Sequence, residues 1–138
     1  MKKPLTICLI DDDTVFQFIM TKVIPSVNPG GKLLQFFTGD EAMAHILVNL
    51  GDGENMPDLI FLDIHMPLRD GWQFLDRYLM IGPYVGKRVA IYMISQFFNY
   101  LEKERIESLP EVAGYLVKPI SAGQLAEVLE KVTKTISG

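Results

Sequence analysis

Leu59-Ile60-Phe61-Leu62-Asp63-Ile64-His65-Met66-Pro67 is the stretch from which the fold can be read. Four large apolar residues in succession, led by Pro57-Asp58, have the length and continuity of a strand buried on both faces. The run then stops at a carboxylate. An ionised group beside buried apolar surface is costly unless it is paired or has a task. At the carboxyl end of a central parallel strand, Asp63 would lie in the crevice where open α/β sheets hold their ligands. Taken alone, an aspartate after a strand more often just opens a loop, so the rest of the chain has to decide.

Upstream, residues 5–10 form a first apolar run that ends at Asp11-Asp12-Asp13. A helix follows with Val15, Phe16, Ile19 and Val23 on or near one face, and its end is expected before Pro25. Residues 33–37 read as a second strand with Gln35 as its one partly exposed position. Thr38 and Glu41 then open a helix that turns Ala42, Ile46 and Leu50 to one side. Downstream of Pro67, Asp70 and Gln73 start a third helix, which Gly82-Pro83 closes. Residues 88–94 make a fourth strand ending at Ser95, and Asn99 with Glu102 has the spacing of a capping box for a helix that Pro110 stops. Residues 114–117 make a short fifth strand ending at Lys118-Pro119. Ser121 and Gln124 cap a last helix with Leu125, Val128, Leu129 and Val132 inward.

Five strands alternating with five helices predict an α/β fold of the (βα)5 kind, a doubly wound parallel five-stranded sheet with helices on both faces. All carboxyl ends of the strands then share one edge. That edge collects Asp11, Asp12, Asp63, Ser95 and Lys118, and this convergence is the strongest functional signal in the chain.

With 138 residues and 49% hydrophobic content, the chain reads as a single domain over residues 1–138 with a core of its own. No apolar run approaches the roughly 18 residues that a membrane span needs. The basic start Met1-Lys2-Lys3 before an apolar run resembles a secretory leader, but the three aspartates cut that run short, which gives the expectation of a cytoplasmic protein. Cys8, the single cysteine, excludes an internal disulfide and reads as a small core residue. A formal net charge of -4 gives no broad basic surface, so no direct nucleic-acid partner is expected.

Aspartates gathered at one rim would repel by roughly 4 kcal/mol per charged pair at 4 Å and an effective dielectric near 20, so the cluster calls for a cation. Mg2+ suits carboxylate, carbonyl and water oxygens and works with phosphate groups. One of the carboxylates can then act as nucleophile toward a phosphoryl donor. A lysine ammonium and a hydroxyl nearby would hold the remaining phosphoryl oxygens.

The motifs Leu9-Ile10-Asp11-Asp12-Asp13, Leu62-Asp63-Ile64-His65-Met66-Pro67 with Asp70-Gly71, Ile94-Ser95, and Gly114-Tyr115-Leu116-Val117-Lys118-Pro119 resemble the receiver domain of two-component response regulators along essentially the whole chain. The resemblance implies the strand order 2-1-3-4-5 and a cis Lys118-Pro119 bond. It makes Asp63 the phosphoacceptor, places Mg2+ on Asp11, Asp12, Asp63 and the backbone carbonyl of His65, and sets Lys118 against the phosphoryl group. Ser95 and Tyr115 become the switch pair. The implied partners are a sensor histidine kinase or histidine phosphotransfer protein as donor and a protein target downstream. In such a protein catalysis is limited to its own modification, so it is not expected to be an enzyme. Two positions depart from the common pattern. Gln96 is longer than the usual residue after the switch hydroxyl and would restrict access to Asp63, and the His65 side chain faces either the attacking water or solvent.

A rival reading starts from Asp11-x-Asp13-Thr14-Val15, which fits the opening motif of haloacid-dehalogenase-like phosphatases, with Asp11 as nucleophile and Asp13 as acid/base. That family also needs a late acidic pair, and beyond Lys118 the chain offers only Glu127 and Glu130 within a helix. Phe97, Phe98 and Tyr100 crowd the start of the fourth helix. One of them is expected to pack inward and at least one to be exposed, giving a partner face on the fourth helix, fifth strand and fifth helix.

Overall fold

β3 (Leu59–Asp63) is buried at every position and lies third in a five-stranded parallel sheet. The computed structural model describes residues 3–137, so Met1, Lys2 and Gly138 of the expected domain lie outside the described residues. The other strands are β1 (Thr6–Ile10), β2 (Lys32–Phe36), β4 (Ala90–Ser95) and β5 (Gly114–Val117). The helices are α1 (Thr14–Val27), α2 (Gly39–Val48), α3 (Gly71–Ile81), α4 (Tyr100–Glu107) and α5 (Ala122–Ser137), with a single 3-10 turn, Gly82–Tyr84, after α3. The strand order is β2-β1-β3-β4-β5, as the resemblance implied.

Alternation along the central strands divides the core into two layers. Cys8 and Ile10, Ile60 and Leu62, and Ile91 and Met93 point to one face, where they meet Ala42, Met43 and Ile46 of α2 and Phe74, Leu75 and Tyr78 of α3. Ile7 and Leu9, Leu59 and Phe61, and Tyr92 and Ile94 point to the other, against Phe16, Met20 and Ile24 of α1 and Leu125, Val128, Leu129 and Val132 of α5. Burial on both faces is why these strands read as continuous apolar runs. Cys8 is a core residue, and burial pushes its thiol pKa up. Among the described residues no helix is long and apolar enough to cross a membrane.

Several local signals act as read. Thr38 accepts from the Glu41 amide, Asp70 and Gln73 form a complete capping box, and Ser121 and Gln124 bond each other reciprocally. The inward face of α1 is Phe16, Gln17, Met20 and Ile24 rather than the expected one, since Val15 and Ile19 are exposed. Three other expectations are corrected. First, α1 does not stop before Pro25 but includes it and runs to Val27. The ring sits on the exposed side of the last turn, where only the bond to the Thr21 carbonyl is lost. The end is held beyond it by buried Asn28, which accepts from the Leu5 amide at 3.0 Å and donates to the Leu5 carbonyl at 2.9 Å. Second, Leu33, Leu34, Gln35 and Phe36 are all half-buried, because β2 is an edge strand with one neighbour. Third, Phe97, Phe98 and Tyr100 are all exposed, at 74%, 57% and 63%, and none enters the core.

Gly71, the first residue of α3, packs directly on the end of β3. A Cβ there would lie 2.5 Å from the Asp63 carbonyl oxygen and 2.9 Å from Ile64 Cα, both backbone atoms that cannot turn aside. Gly71→Ala is therefore expected to destabilise the protein by about 1–3 kcal/mol in urea unfolding. Gly86→Ala, at a position with nothing within 4 Å of the added Cβ, should fall within about 0.5 kcal/mol of wild type.

Candidate functional site

The register of β1 and β3 pairs Ile10 with Leu62, so Asp11, just past the end of β1, and Asp63, the last residue of β3, lie side by side. Asp11 is completely buried and Asp63 is 4% exposed, whereas Asp12 is turned to solvent. One oxygen from each of the three carboxylates falls within 4.8 Å of the others. The third member of the opening acidic run has separate employment: Asp13 N-caps α1, accepting from the amides of Val15 at 3.0 Å and Phe16 at 3.1 Å. Asp13 Oδ1 is thus committed to the helix end, which leaves Asp13 outside the trio of clustered carboxylates.

Lys118 enters from the end of β5. Its Nζ is 2.8 Å from Asp11 Oδ2, 4.0 Å from Asp13 Oδ2 and 4.3 Å above the Phe16 ring centroid. The contact with Asp11 is close but poorly directed, and Oδ2 has no well-aligned hydrogen bond. Asp11 Oδ1 accepts from the Asp13 amide at 2.8 Å. Asp63 Oδ1 accepts from the His65 amide at 3.3 Å. Burial raises the Asp11 pKa, with the Lys118 ammonium opposing. Burial and the neighbouring Asp11 charge push Asp63 up to about 7, again against the pull of Lys118. A buried oxygen without a directed donor, facing two further carboxylates, is a donor set that fits a hard divalent cation.

The remaining predicted residues surround this cluster. Ser95 is buried at the end of β4, and its hydroxyl donates to the Phe97 carbonyl at 2.7 Å; its own carbonyl accepts from the Lys118 amide at 2.9 Å. The Lys118-Pro119 bond is cis. The Tyr115 hydroxyl donates to Glu102 Oε1 at 3.0 Å and accepts from the Asn99 amide at 3.1 Å. His65 is exposed, with Nε2 2.6 Å from Glu102 Oε2. Gln96 lines a shallow apolar cleft of ≈ 350 Å³ beside the cluster, together with Val15, Phe16, Ile19, Phe97 and Lys118. A larger cleft of ≈ 960 Å³ opens at the opposite edge of the sheet and contains none of the clustered carboxylates.

Two contributors escaped the sequence reading. Gln17 is 2% exposed, and its side-chain amide donates to the carbonyls of Asp11 at 3.1 Å and Phe36 at 3.0 Å, fixing the end of β1. A polar residue within the stripe Phe16, Met20 and Ile24 is the signal that could have found it. Glu102 has the spacing of a capping partner, but its carboxylate serves His65 and Tyr115 instead. Nothing in the local sequence distinguishes those outcomes.

Residues 7–130 match the family described as the response regulator receiver domain. The chain is 21% identical over 129 residues to the probable methanogenesis regulatory protein FilR2 of Methanothrix harundinacea, covering 94% of this chain and 81% of that one. It is 31% identical over 115 residues to protein-glutamate methylesterase/protein-glutamine glutaminase 2 of Shewanella oneidensis, covering 78% of this chain but only 30% of the relative. Among solved structures, a two-component response regulator from Cytophaga hutchinsonii superposes with a TM-score of 0.85 at 22% identity, over 96% of this chain and 99% of that one.

The raised pKa of Asp63 has a consequence for stability. The folded protein retains a proton on Asp63 up to about pH 7, whereas the unfolded chain releases it near 3.8, so stability falls as pH rises through that interval. Asp63→Asn cannot titrate. In the absence of divalent metal it should unfold at higher urea than wild type at pH 8, with the gain disappearing by pH 4. A gain of about 1–2 kcal/mol is expected, less than the full shift because the cluster opens to water beside Asp12.

Proposed function

The chain belongs to the response regulator receiver domain family of two-component systems, and on that premise we propose that Asp63 accepts a phosphoryl group from a phosphohistidine and that the protein signals by the ensuing change of shape. The donor is a sensor histidine kinase or a histidine phosphotransfer protein in the cytoplasm. The observation that carries this reading is the burial of Asp63 against Asp11, with Lys118 beside them, at the end of the central strand.

In the transfer an Asp63 oxygen attacks phosphorus. The P–N bond breaks, and the imidazole of the donor leaves with its electron pair and takes a proton from solvent. Asp63 must be ionised to attack, and the Lys118 ammonium favours that form. The carboxylates of Asp11, Asp12 and Asp63 and the backbone carbonyl of His65 would hold Mg2+, which when bound supplies positive charge against the phosphoryl oxygens. Lys118 contacts one of those oxygens, an exchange open to it because its present bond to Asp11 is poorly directed. Ser95 is near enough to the end of β3 to turn its hydroxyl from the Phe97 carbonyl to the phosphoryl group, since Asp63 and Ile94 are paired across the two strands. The chain thus promotes its own modification and turns over no separate substrate.

A protein target is read on the face that α4, β5 and α5 share. Phe97, Phe98, Tyr100 and Leu101 are 57–74% exposed at its edge, an apolar group of the kind that marks interaction surfaces.

Incubation with acetyl phosphate and Mg2+ should label Asp63 as an acid-stable, base-labile acyl phosphate, located by mass spectrometry. Asp63→Asn should abolish the label, and Lys118→Ala should slow labelling by about 100-fold, as loss of one charge-stabilising donor does. Label on Asp11 in Asp63→Asn, together with turnover of phosphomonoesters, would replace this reading by the hydrolase. For the metal, Asp12→Ala should weaken Mg2+ binding in calorimetry, and unchanged affinity would remove Asp12 from the site.

A further inference from the structure

α4 is attached to the body in an unusual way. Of its residues only Ile106 is fully buried, while Leu101 is 74% exposed and Tyr100 63%. Its other anchors are polar. The Arg105 guanidinium lies 3.8 Å from the centroid of the Trp72 ring on α3, and the Glu102 carboxylate divides its two oxygens between different parts of the protein. Glu102 is nonetheless only 12% exposed, so its charge is held partly out of water by two specific partners, and its position depends on both.

Those partners stand at the two ends of the proposed switch. Among the described residues the His65 amide is the hydrogen-bond donor to the Asp63 carboxylate, and the imidazole of the same residue lies 2.6 Å from Glu102 Oε2. A group added to Asp63 competes for that amide bond, so any adjustment of the loop reaches Glu102 through one residue. On the other side, the Tyr115 hydroxyl is held by Glu102 at 3.0 Å and approaches the Phe97 carbonyl at 3.4 Å, the same carbonyl that receives the Ser95 hydroxyl at 2.7 Å. Two routes from the acceptor therefore meet at the Tyr115 hydroxyl, one through Ser95 and one through His65 and Glu102.

Resting on the receiver reading, we propose that Glu102 is a positioning residue whose carboxylate clamps the loop after Asp63 to Tyr115 and holds the unphosphorylated arrangement of α4. Opening the clamp is work done when Asp63 is occupied. By linkage, a partner that draws α4 or Tyr115 away from Glu102 raises the affinity of the acceptor site for its occupant by the same factor. The clamp gives this chain a second coupling route, independent of the hydroxyl of Ser95.

The test uses the full chain with Mg2+ and beryllofluoride as the probe. Binding is followed by the fluorescence of Trp72, the sole tryptophan, which lies against Arg105 of α4. Tyr115 ring resonances are recorded in parallel. Glu102→Ala should raise the beryllofluoride affinity about fivefold, the low end of ordinary coupling. Without metal or beryllofluoride, it should also move the Tyr115 resonances toward their positions in the occupied wild type. Glu104→Ala, on an exposed position of the same helix, should change neither. A merely structural Glu102 would lower thermal stability while leaving affinity and Tyr115 shifts at wild-type values, and that result overturns the clamp. If Glu102→Ala does not fold, Glu102→Gln, which keeps the size and an acceptor for Tyr115 but removes the charge facing His65, is held to the same two measurements. Failure of the wild type to bind beryllofluoride would count against the receiver reading itself. The Tyr115 resonances of the unliganded variants would still decide whether Glu102 holds the ring.

Discussion

The ammonium of Lys118, 2.8 Å from a fully buried Asp11 whose neighbour across the strands is Asp63, is the constraint to which the surrounding structure answers. Two carboxylates and one ammonium leave an excess of negative charge in a region shielded from water, and Asp63 responds by holding its proton up to about pH 7. Such a site is tolerable only because the elements around it are rigid. Asp11 follows a strand paired on both sides, Asp63 ends the most buried strand of the sheet, and Lys118 leaves β5 tied by its amide to Ser95. The strain is electrostatic rather than conformational, which makes it available to a cation or a phosphoryl group that neutralises or rearranges the charge.

The scaffold is uneven in how it meets this demand. α1 and α5 lay broad apolar stripes on one face of the sheet, and α2 and α3 do the same on the other. α4 contributes one buried side chain and otherwise depends on a carboxylate, a guanidinium on an indole, and an asparagine cap. Attachments of that kind can be exchanged without opening a cavity in the core, since local opening is least costly where few apolar contacts are lost. The element held by polar contacts is thus α4, and those held by broad apolar stripes are the other four helices.

Much of this was legible in the sequence. Five apolar runs separated by capped helices gave the alternation and hence the shared edge, and Asp63, Asp11, Asp12, Ser95 and Lys118 do meet there or beside it. What escaped was set by tertiary context. Pro25 is tolerated because it falls on the exposed side of a final turn that Asn28 pins. Leu33, Leu34 and Phe36 are only half-buried because β2 is an edge strand, a fact of strand order rather than composition. The three aromatics after Ser95 look like core by type, yet they occupy a segment turned away from both layers. Glu102 carries the same three-residue spacing from its cap as Gln73 and Gln124, which do fold back. It differs because His65 and Tyr115, far away in sequence, offer better partners.

The close packing of Gly71 on the end of β3 bears on how such a site can diversify. Where a Cβ would strike the Asp63 carbonyl, the floor of the pocket is peptide backbone, and no substitution can reshape it without moving the strand. The rim is different in kind: Gln96 and Phe97 are exposed and belong to neither core layer, whereas His65 is tied to Glu102 and Leu68 holds a φ of 68°. Changes at Gln96 and Phe97 should therefore be nearly free in folding stability. An engineer thus has exchangeable positions at the rim to work on above a floor made of backbone.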